Sequence, residues 1–247
     1  MNGKFLLPSS KRPPKLDPFA DKSSLIIDWL LRNGIAKTKL SIREVAREIN
    51  LSHGLVQKVF EALVRKGYLI TKGERTAKVF ILKRPQQLLK DWIESYSIVD
   101  KCRLRTYRSG IRNRKQLLAK ISEAGLQSKV KFALHSAAQT HGWKNTNLST
   151  LELYMLEPDV RKKLEEILLL EPSERGYEVL LIEPYYKSML KNEFPSKKKP
   201  LQCSSPLLTF LDLYHFPLRG IEQAEFMAEN IPELKQLYHG QPHGSRT

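Results

Sequence analysis

The order of elements indicated by residues 23–83 limits the possible folds more than any other feature of this chain. Apolar residues at positions 25, 26, 29 and 30 predict a first helix, and Asn33-Gly34 signals its end. We expect a short second helix after Ser41 and a longer third helix after Ser52, with apolar residues at 55, 56, 59, 60 and 63 facing inward. Residues 68–71 and 78–82 then predict two strands around the turn 72–76.

The start of the second helix carries the sequence Ser41-Ile-Arg-Glu44. In a capping box of this form, the serine hydroxyl accepts from a backbone N–H of the first turn, and the glutamate accepts from the backbone N–H of the serine. We therefore expect Ser41 and Glu44 to satisfy two free backbone donors of this helix.

Helix, short helix, tight turn, longer helix and β-hairpin is the order of a winged helix-turn-helix. Such proteins place the second helix of the pair in the DNA major groove, with its first residues toward the bases. The outward positions near the start of this helix are Ser52, His53, Gln57 and Lys58. The basic residues expected near phosphates are Arg43, Lys72, Arg75 and Lys78. The alternative is a small domain that only packs or binds another protein.

The positive charge of the chain is concentrated in its first half. The formal net charge is +16, with +10 in residues 1–95, +8 in residues 96–131 and −2 in the remainder. This asymmetry favours an acidic partner, nucleic acid first. Arg103, Arg105 and Arg108 lie on a predicted strand and are candidates for additional nucleic-acid contacts. The alternative for them is a solvated edge strand, in which charge opposes aggregation.

Beyond residue 96 the pattern alternates between strands and helices. Strands are expected at 103–107, 148–156 and 177–182, and helices at 113–124, 159–170, Pro206–Tyr214 and 220–231. We expect an α+β protein with five segments, which are a flexible arm at 1–22, the winged helix-turn-helix at 23–83, a connecting helix at 84–96, a mixed α/β domain at 97–238 and a disordered tail at 239–247.

Several classes of protein receive no support from the sequence. No apolar run approaches the roughly 18 residues of a membrane span, so we expect a cytoplasmic protein without a membrane partner. The two cysteines form no CxxC, the six histidines are dispersed, and neither common phosphate-binding glycine motif is present. We therefore expect no metal, no cofactor and no catalytic site. An enzyme that acts on nucleic acid or nucleotides, and a protein–protein adaptor, remain the alternatives.

Three stretches of the second half carry a family resemblance: FALHSAAQTHGW at 132–143, YEVLLIEPYY at 177–186 and SSPLLTFLDLYHFPLRGIEQAEFMAENI at 204–231. Together they resemble the AbiEi family of abortive-infection antitoxins, which are transcriptional regulators of bacterial type IV toxin–antitoxin pairs. The third stretch is the most specific, with Asp-Leu before a Pro-x-Arg-Gly turn and Glu-x-x-Glu after it. The Pro/Lys-rich segment 1–22 and the lysine-rich segment near 197–199 depart from the family.

The resemblance implies an N-terminal domain that binds inverted repeats in its own promoter and represses transcription. It also implies a C-terminal domain that counteracts a nucleotidyltransferase-like toxin without forming a stable complex with it. It supplies no catalytic residues. Asp212 and Arg219 flank the most specific turn, and we expect a salt bridge between them that fixes the two helices. A functional role for this pair is the alternative.

Overall fold

The computed structural model describes residues 16–73, 78–191 and 201–240. In these residues the chain is a mixed α+β protein. Three helices and a two-stranded hairpin come first, and a six-stranded sheet with helices on both faces follows. The α+β class expected from the sequence is confirmed at this level.

The N-terminal elements follow the order expected from the sequence. They are α1 Asp21–Trp29, α2 Ile42–Glu48, α3 His53–Arg65, β1 Leu69–Lys72 and β2 Val79–Leu82, with a π-helical turn Leu30–Gly34 after α1. The segment between α1 and α2 also joins the hairpin, because the backbones of Leu40 and Phe80 exchange two hydrogen bonds of 2.8 and 3.0 Å. The hairpin is thereby held against the helices.

The predicted capping box does not form. Ser41 occupies the N-cap of α2, but its side chain makes no capping hydrogen bond. The Glu44 carboxylate instead pairs with the ammonium of Lys37. In a capping box, Glu44 would accept a hydrogen bond from the backbone N–H of Ser41. Here the Glu44 carboxylate binds Lys37 of the preceding loop.

Residues 16–22, which we expected in a flexible arm, pack against residues far away in the sequence. The Phe19 ring stacks on Trp92 with 6.3 Å between ring centroids. The Asp21 carboxylate accepts hydrogen bonds of 2.8 Å from both the backbone N–H and the hydroxyl of Ser188. Residues 1–15 of the expected arm lie outside the described residues, as do residues 241–247 of the expected tail.

The remaining elements build a six-stranded mixed sheet and its helices. They are α4 Pro85–Ser95, α5 Ile98–Lys101, β3 Arg103–Ser109, α6 Arg114–Glu123, β4 Val130–Phe132, α7 Leu134–His141, β5 Leu151–Met155, α8 Val160–Ile167, β6 Leu170–Pro172, β7 Val179–Glu183, α9 Lys187–Lys191, β8 Gln202–Cys203, α10 Pro206–Tyr214, α11 Gly220–Asn230 and α12 Pro232–Tyr238. The strand order is β6-β3-β7-β5-β4-β8. The pairs β5–β7 and β4–β8 are parallel, and the other pairs are antiparallel.

The end of α8 and the pairing of β3 bear on two of the sequence predictions. The helix predicted at 159–170 ends at Ile167, because Leu169 has a positive φ of 50° and the chain then enters β6. For the arginines of β3 the sequence leaves a solvated edge strand as the alternative. In the structure β6 pairs with residues 107–109 of this strand and β7 with residues 103–107. Arg108 therefore lies where β3 pairs with β6, whereas Arg103 and Arg105 lie where β3 pairs with β7 alone, and the edge-strand alternative stays open for them.

The sheet separates two clusters of buried side chains. Alternate residues of β5, such as Leu151 and Leu153, pack with α6 and α8 on one face. On the other face Tyr154 belongs to a larger cluster that includes α7, α10, α11 and α12. This larger cluster continues through α4 into α1 and α3, so the N-terminal helices share one apolar core with the second half of the chain. The domain boundaries proposed from the sequence stay predictions.

Candidate nucleic-acid interface

Helix α3 has one buried side and one polar side that faces solvent. Val56, Val59 and Phe60 are fully buried, whereas the predicted base-contacting residues Ser52, His53, Gln57 and Lys58 are all exposed. Ser52 is the N-cap, and its hydroxyl oxygen accepts a hydrogen bond of 3.3 Å from the backbone N–H of Leu55. The hydroxyl hydrogen of Ser52 is still available to an acceptor outside the protein.

The first turn of α3 is open to close approach by another molecule. A Cβ placed on Gly54 would have no neighbouring atom within 4 Å. The flanking residues His53 and Gln57 are exposed, so a groove edge or phosphate can reach the helix backbone here. Glycine costs helix stability relative to alanine, by roughly 0.5–1 kcal/mol, so its presence at an exposed helical position has no folding advantage.

A groove of about 470 Å³ lies beside α3, between α2 and the hairpin. Arg43 from α2 and Lys78, directly before β2, both line it, together with Gln57 and Glu61 of α3. The side-chain amide of Gln57 donates a hydrogen bond of 3.0 Å to the Glu61 carboxylate. The Lys78 ammonium lies 5.4 Å from the centre of the Phe80 ring, which orients it by a cation–π contact.

The basic residues around this groove make no ion pairs with the described part of the chain. Arg43, Lys58, Lys72 and Lys78 are exposed, and none of them forms an ion pair among the described residues. Lys37, in the loop before α2, is by contrast paired with Glu44. Arg75, the fourth predicted phosphate contact, lies outside the described residues. The unpaired cations give this face a positive charge that favours a polyanion.

The arginines of β3 form a second basic surface, which is partly neutralised. Arg103 and Arg105 lie 4.0 and 3.7 Å from the carboxylate of Glu183 on the neighbouring strand. Arg108 is exposed and lies opposite Glu171 in the strand register. Since acidic residues face all three positions, this surface is a weaker candidate than the groove beside α3. An additional nucleic-acid contact there stays a prediction.

The expected salt bridge between Asp212 and Arg219 is absent. Asp212 is fully buried, and its two carboxylate oxygens accept hydrogen bonds from the hydroxyls of Tyr96 at 2.7 Å and Tyr154 at 2.6 Å. Arg219 is exposed and pairs with Glu222 at 2.7 Å. Asp212 therefore points into the core, where it joins the end of α4 to the sheet and α10.

The surroundings of Asp212 suppress ionisation of its neighbours. Burial and the negative charge of Asp212 raise the pKa of both Tyr96 and Tyr154 well above the ordinary value. The same two causes raise the pKa of the Cys102 thiol to about 12. The raised pKa values keep the two phenols and the thiol protonated at physiological pH, and all three groups are buried.

A second buried carboxylate was not foreseen from the sequence. Glu152 in β5 is fully buried, and it accepts hydrogen bonds of 2.5 Å from the Ser136 hydroxyl and 2.9 Å from the Ser136 backbone N–H. The phenol of Tyr177 donates to it at 3.3 Å. The only signal in the sequence is its place in the run Leu151–Met155, whose apolar residues on both faces predict a strand covered on both sides.

No three His, Cys, Asp or Glu side chains in the described ranges converge in a way that could hold a metal ion. None of the described helices is long and apolar enough to cross a membrane. In addition, the chain matches no protein-family model, no curated protein and no solved structure with which we compared it.

Proposed function

We propose that this protein binds double-stranded DNA through a winged helix-turn-helix formed by α2, α3 and the β1–β2 hairpin. The observation that carries the proposal is the exposed polar face of α3 beside a groove lined by the unpaired cations Arg43 and Lys78. Helix α3 would lie in the major groove, and the hairpin would approach the flanking backbone. The protein contacts divide into base contacts and phosphate contacts.

Base contacts are assigned to the first two turns of α3. The Gln57 amide can form a bidentate contact with adenine, since it carries both a donor and an acceptor. Its hydrogen bond to Glu61 uses one of the two amide hydrogens and leaves the carbonyl oxygen free. Ser52 and His53 supply further hydrogen-bonding groups at the start of the helix, and Lys58 a charged donor.

Regulatory activity is the second part of the proposal. We propose a transcriptional repressor that acts on its own promoter through inverted repeats and serves as the antitoxin of a type IV toxin–antitoxin pair in the cytoplasm. This part is supported by the resemblance of residues 132–143, 177–186 and 204–231 to AbiEi proteins. The toxin would be nucleotidyltransferase-like and would be counteracted without a stable complex.

Selection from a random duplex pool tests the DNA-binding part. Full-length wild-type protein should enrich one sequence motif, and Gln57→Ala should lose preference at one base pair of it by about 1–3 kcal/mol. The matched control is Gln116→Ala, an exposed glutamine of α6, which should enrich the wild-type motif. An unchanged motif for Gln57→Ala would remove this residue from the interface, and no enrichment by wild type would reject the function.

Co-expression tests the antitoxin part. The neighbouring reading frame is expressed in cells with and without the full-length protein, and growth is measured. We expect growth arrest from the neighbour alone and rescue by the full-length chain. The rescue must persist when the neighbour is expressed from an unrelated promoter, because repression of its own promoter would otherwise explain the protection.

A further inference from the structure

A second cavity lies away from α3, between α4 on one side and α10 and α12 on the other. Its volume is about 510 Å³, which is within the range of about 300–1,000 Å³ typical of small-molecule sites. The apolar wall is formed by the side chains of Leu89, Ile93 and Leu237. The cavity is therefore large enough and apolar enough to bury an aromatic ring.

The polar groups of the cavity favour an anion with acceptor oxygens. Arg84 and Lys90 line it with the single acid Glu94, and none of the three forms an ion pair among the described residues. The Nε of Arg84 donates to the Gly67 carbonyl at 3.1 Å, which leaves the two terminal nitrogens of its guanidinium for another acceptor. An arginine whose two terminal nitrogens are available suits a carboxylate, which can accept a hydrogen bond from each of them.

Two tyrosines, Tyr214 and Tyr238, add aromatic rings and hydroxyl groups to the cavity lining. The Tyr238 hydroxyl donates to the Tyr214 hydroxyl at 3.3 Å, and the two rings meet edge to face with their centroids 6.1 Å apart. The hydroxyl hydrogen of Tyr214 then has no acceptor among the described residues and can donate to a ligand. The His215 ring lies beside them, fixed by a 2.9 Å hydrogen bond between its Nε2 and the Ile93 carbonyl.

We propose that this cavity is a binding site for a small aromatic carboxylate. The ring packs on the apolar wall beside Tyr214 and Tyr238, and the carboxylate accepts from Arg84 and Lys90. The site is independent of the proposed DNA contacts, because the cavity and the groove beside α3 share no lining residue.

Arg84 also connects the site to the end of α3. Its partner Gly67 follows Lys66, the C-cap of α3, has a φ of +76° and lies two residues before β1. The backbone N–H of Gly67 donates to the Val64 carbonyl at 2.9 Å. A ligand that immobilises Arg84 should therefore slow hydrogen exchange at the Gly67 amide.

The test uses full-length protein, 2-naphthoate as the probe and 2-naphthamide as its neutral match. Isothermal titration calorimetry measures the affinities, and saturation-transfer NMR reports which probe protons contact the protein. We expect 2-naphthoate to bind about tenfold or more tightly than 2-naphthamide, and Arg84→Ala to remove this difference. Arg84→Lys should retain part of it, Tyr238→Leu should weaken both probes, and Arg175→Ala, an exposed arginine outside the cavity, should behave as wild type.

Three affinity results would each overturn the site: no binding of 2-naphthoate, equal affinity for the two probes, or an Arg84→Ala variant that keeps the wild-type difference. Thermal unfolding of each variant separates loss of the site from loss of the fold. Slower exchange at Gly67 on addition of 2-naphthoate would support the assigned position of the ligand. Unchanged exchange there, with binding intact, would place the probe elsewhere and reject the assignment.

Discussion

Two tyrosine hydroxyls donate hydrogen bonds to the buried Asp212 carboxylate, and removing one of them should destabilise the chain. Tyr96 is 2% exposed, and its hydroxyl donates to Asp212 at 2.7 Å. A hydrogen bond to a charged group contributes about 1.5–3 kcal/mol, and a buried carboxylate that loses a donor also loses compensation for its desolvation. Tyr96→Phe keeps the packing of the ring. We therefore expect it to lower the free energy of unfolding by about 2 kcal/mol.

Urea denaturation followed by tryptophan fluorescence measures this loss. The matched control is Tyr185→Phe, because the Tyr185 ring lies 6.4 Å from that of Tyr96 and its hydroxyl makes no hydrogen bond within the described residues. The control should change stability by less than about 0.5 kcal/mol. Tyr154→Phe should cost as much as Tyr96→Phe, and the double variant should depart from the sum, because both hydroxyls serve one carboxylate. A Tyr96→Phe loss no greater than that of the control would refute the reasoning.

Other predictions concern pH and two glycines. Burial raises the pKa of Tyr96 and Tyr154 in the folded chain above the ordinary value of 10.0. As the pH rises, these phenols therefore lose their protons in the unfolded chain at a lower pH than in the folded chain. The free energy of unfolding should accordingly fall above pH 10 by about 1.4 kcal/mol per pH unit for each phenol. Urea midpoints between pH 8 and 11.5 check this slope; a flat profile contradicts it. Gly54→Ala should stabilise by about 0.5–1 kcal/mol, because its new Cβ meets nothing. Gly220→Ala should destabilise the chain by about 1–3 kcal/mol, since its Cβ would lie 2.2 Å from the Leu213 carbonyl oxygen. Equal changes in the free energy of unfolding for Gly54→Ala and Gly220→Ala would contradict this account.

Sequence patterns predicted the N-terminal elements well because the information there is local. Helix α3 has an N-cap serine, an apolar stripe and a glycine at its end, all within residues 52–67. The turn before it is also marked, since Asn50 has a positive φ of 52°, a conformation that asparagine tolerates better than most residues. Each of these signals acts within one or two helical turns.

Predictions failed where a residue outside the local motif competed for a polar group. Glu44 pairs with Lys37 instead of capping α2, and Asp212 binds two tyrosines that lie 116 and 58 positions away instead of Arg219. Periodicity says which side of an element is buried, but it does not say which polar partner arrives there from elsewhere. Only the assembled core determines that choice.

Short and irregular elements were the other source of error. Strands β6 and β8 contain three and two residues, too few to show a period. The left-handed backbone at Leu169 ends α8 without a glycine or proline to announce it. The helices and strands that carry the candidate interface were predicted more completely than those of the second half of the chain, because they form one continuous stretch of sequence.

The salt dependence of DNA binding tests the central claim most directly. Fluorescence anisotropy of a labelled duplex is measured with full-length protein across a range of salt concentrations. Arg43→Ala and Lys78→Ala should each reduce the magnitude of the negative slope of log affinity against log salt by about 0.9, as expected for one lost phosphate contact. Arg175→Ala, which removes an exposed charge outside the interface, should keep the wild-type slope. Wild-type slopes for both Arg43→Ala and Lys78→Ala, or no binding of DNA by the wild-type chain, would contradict the proposed interface.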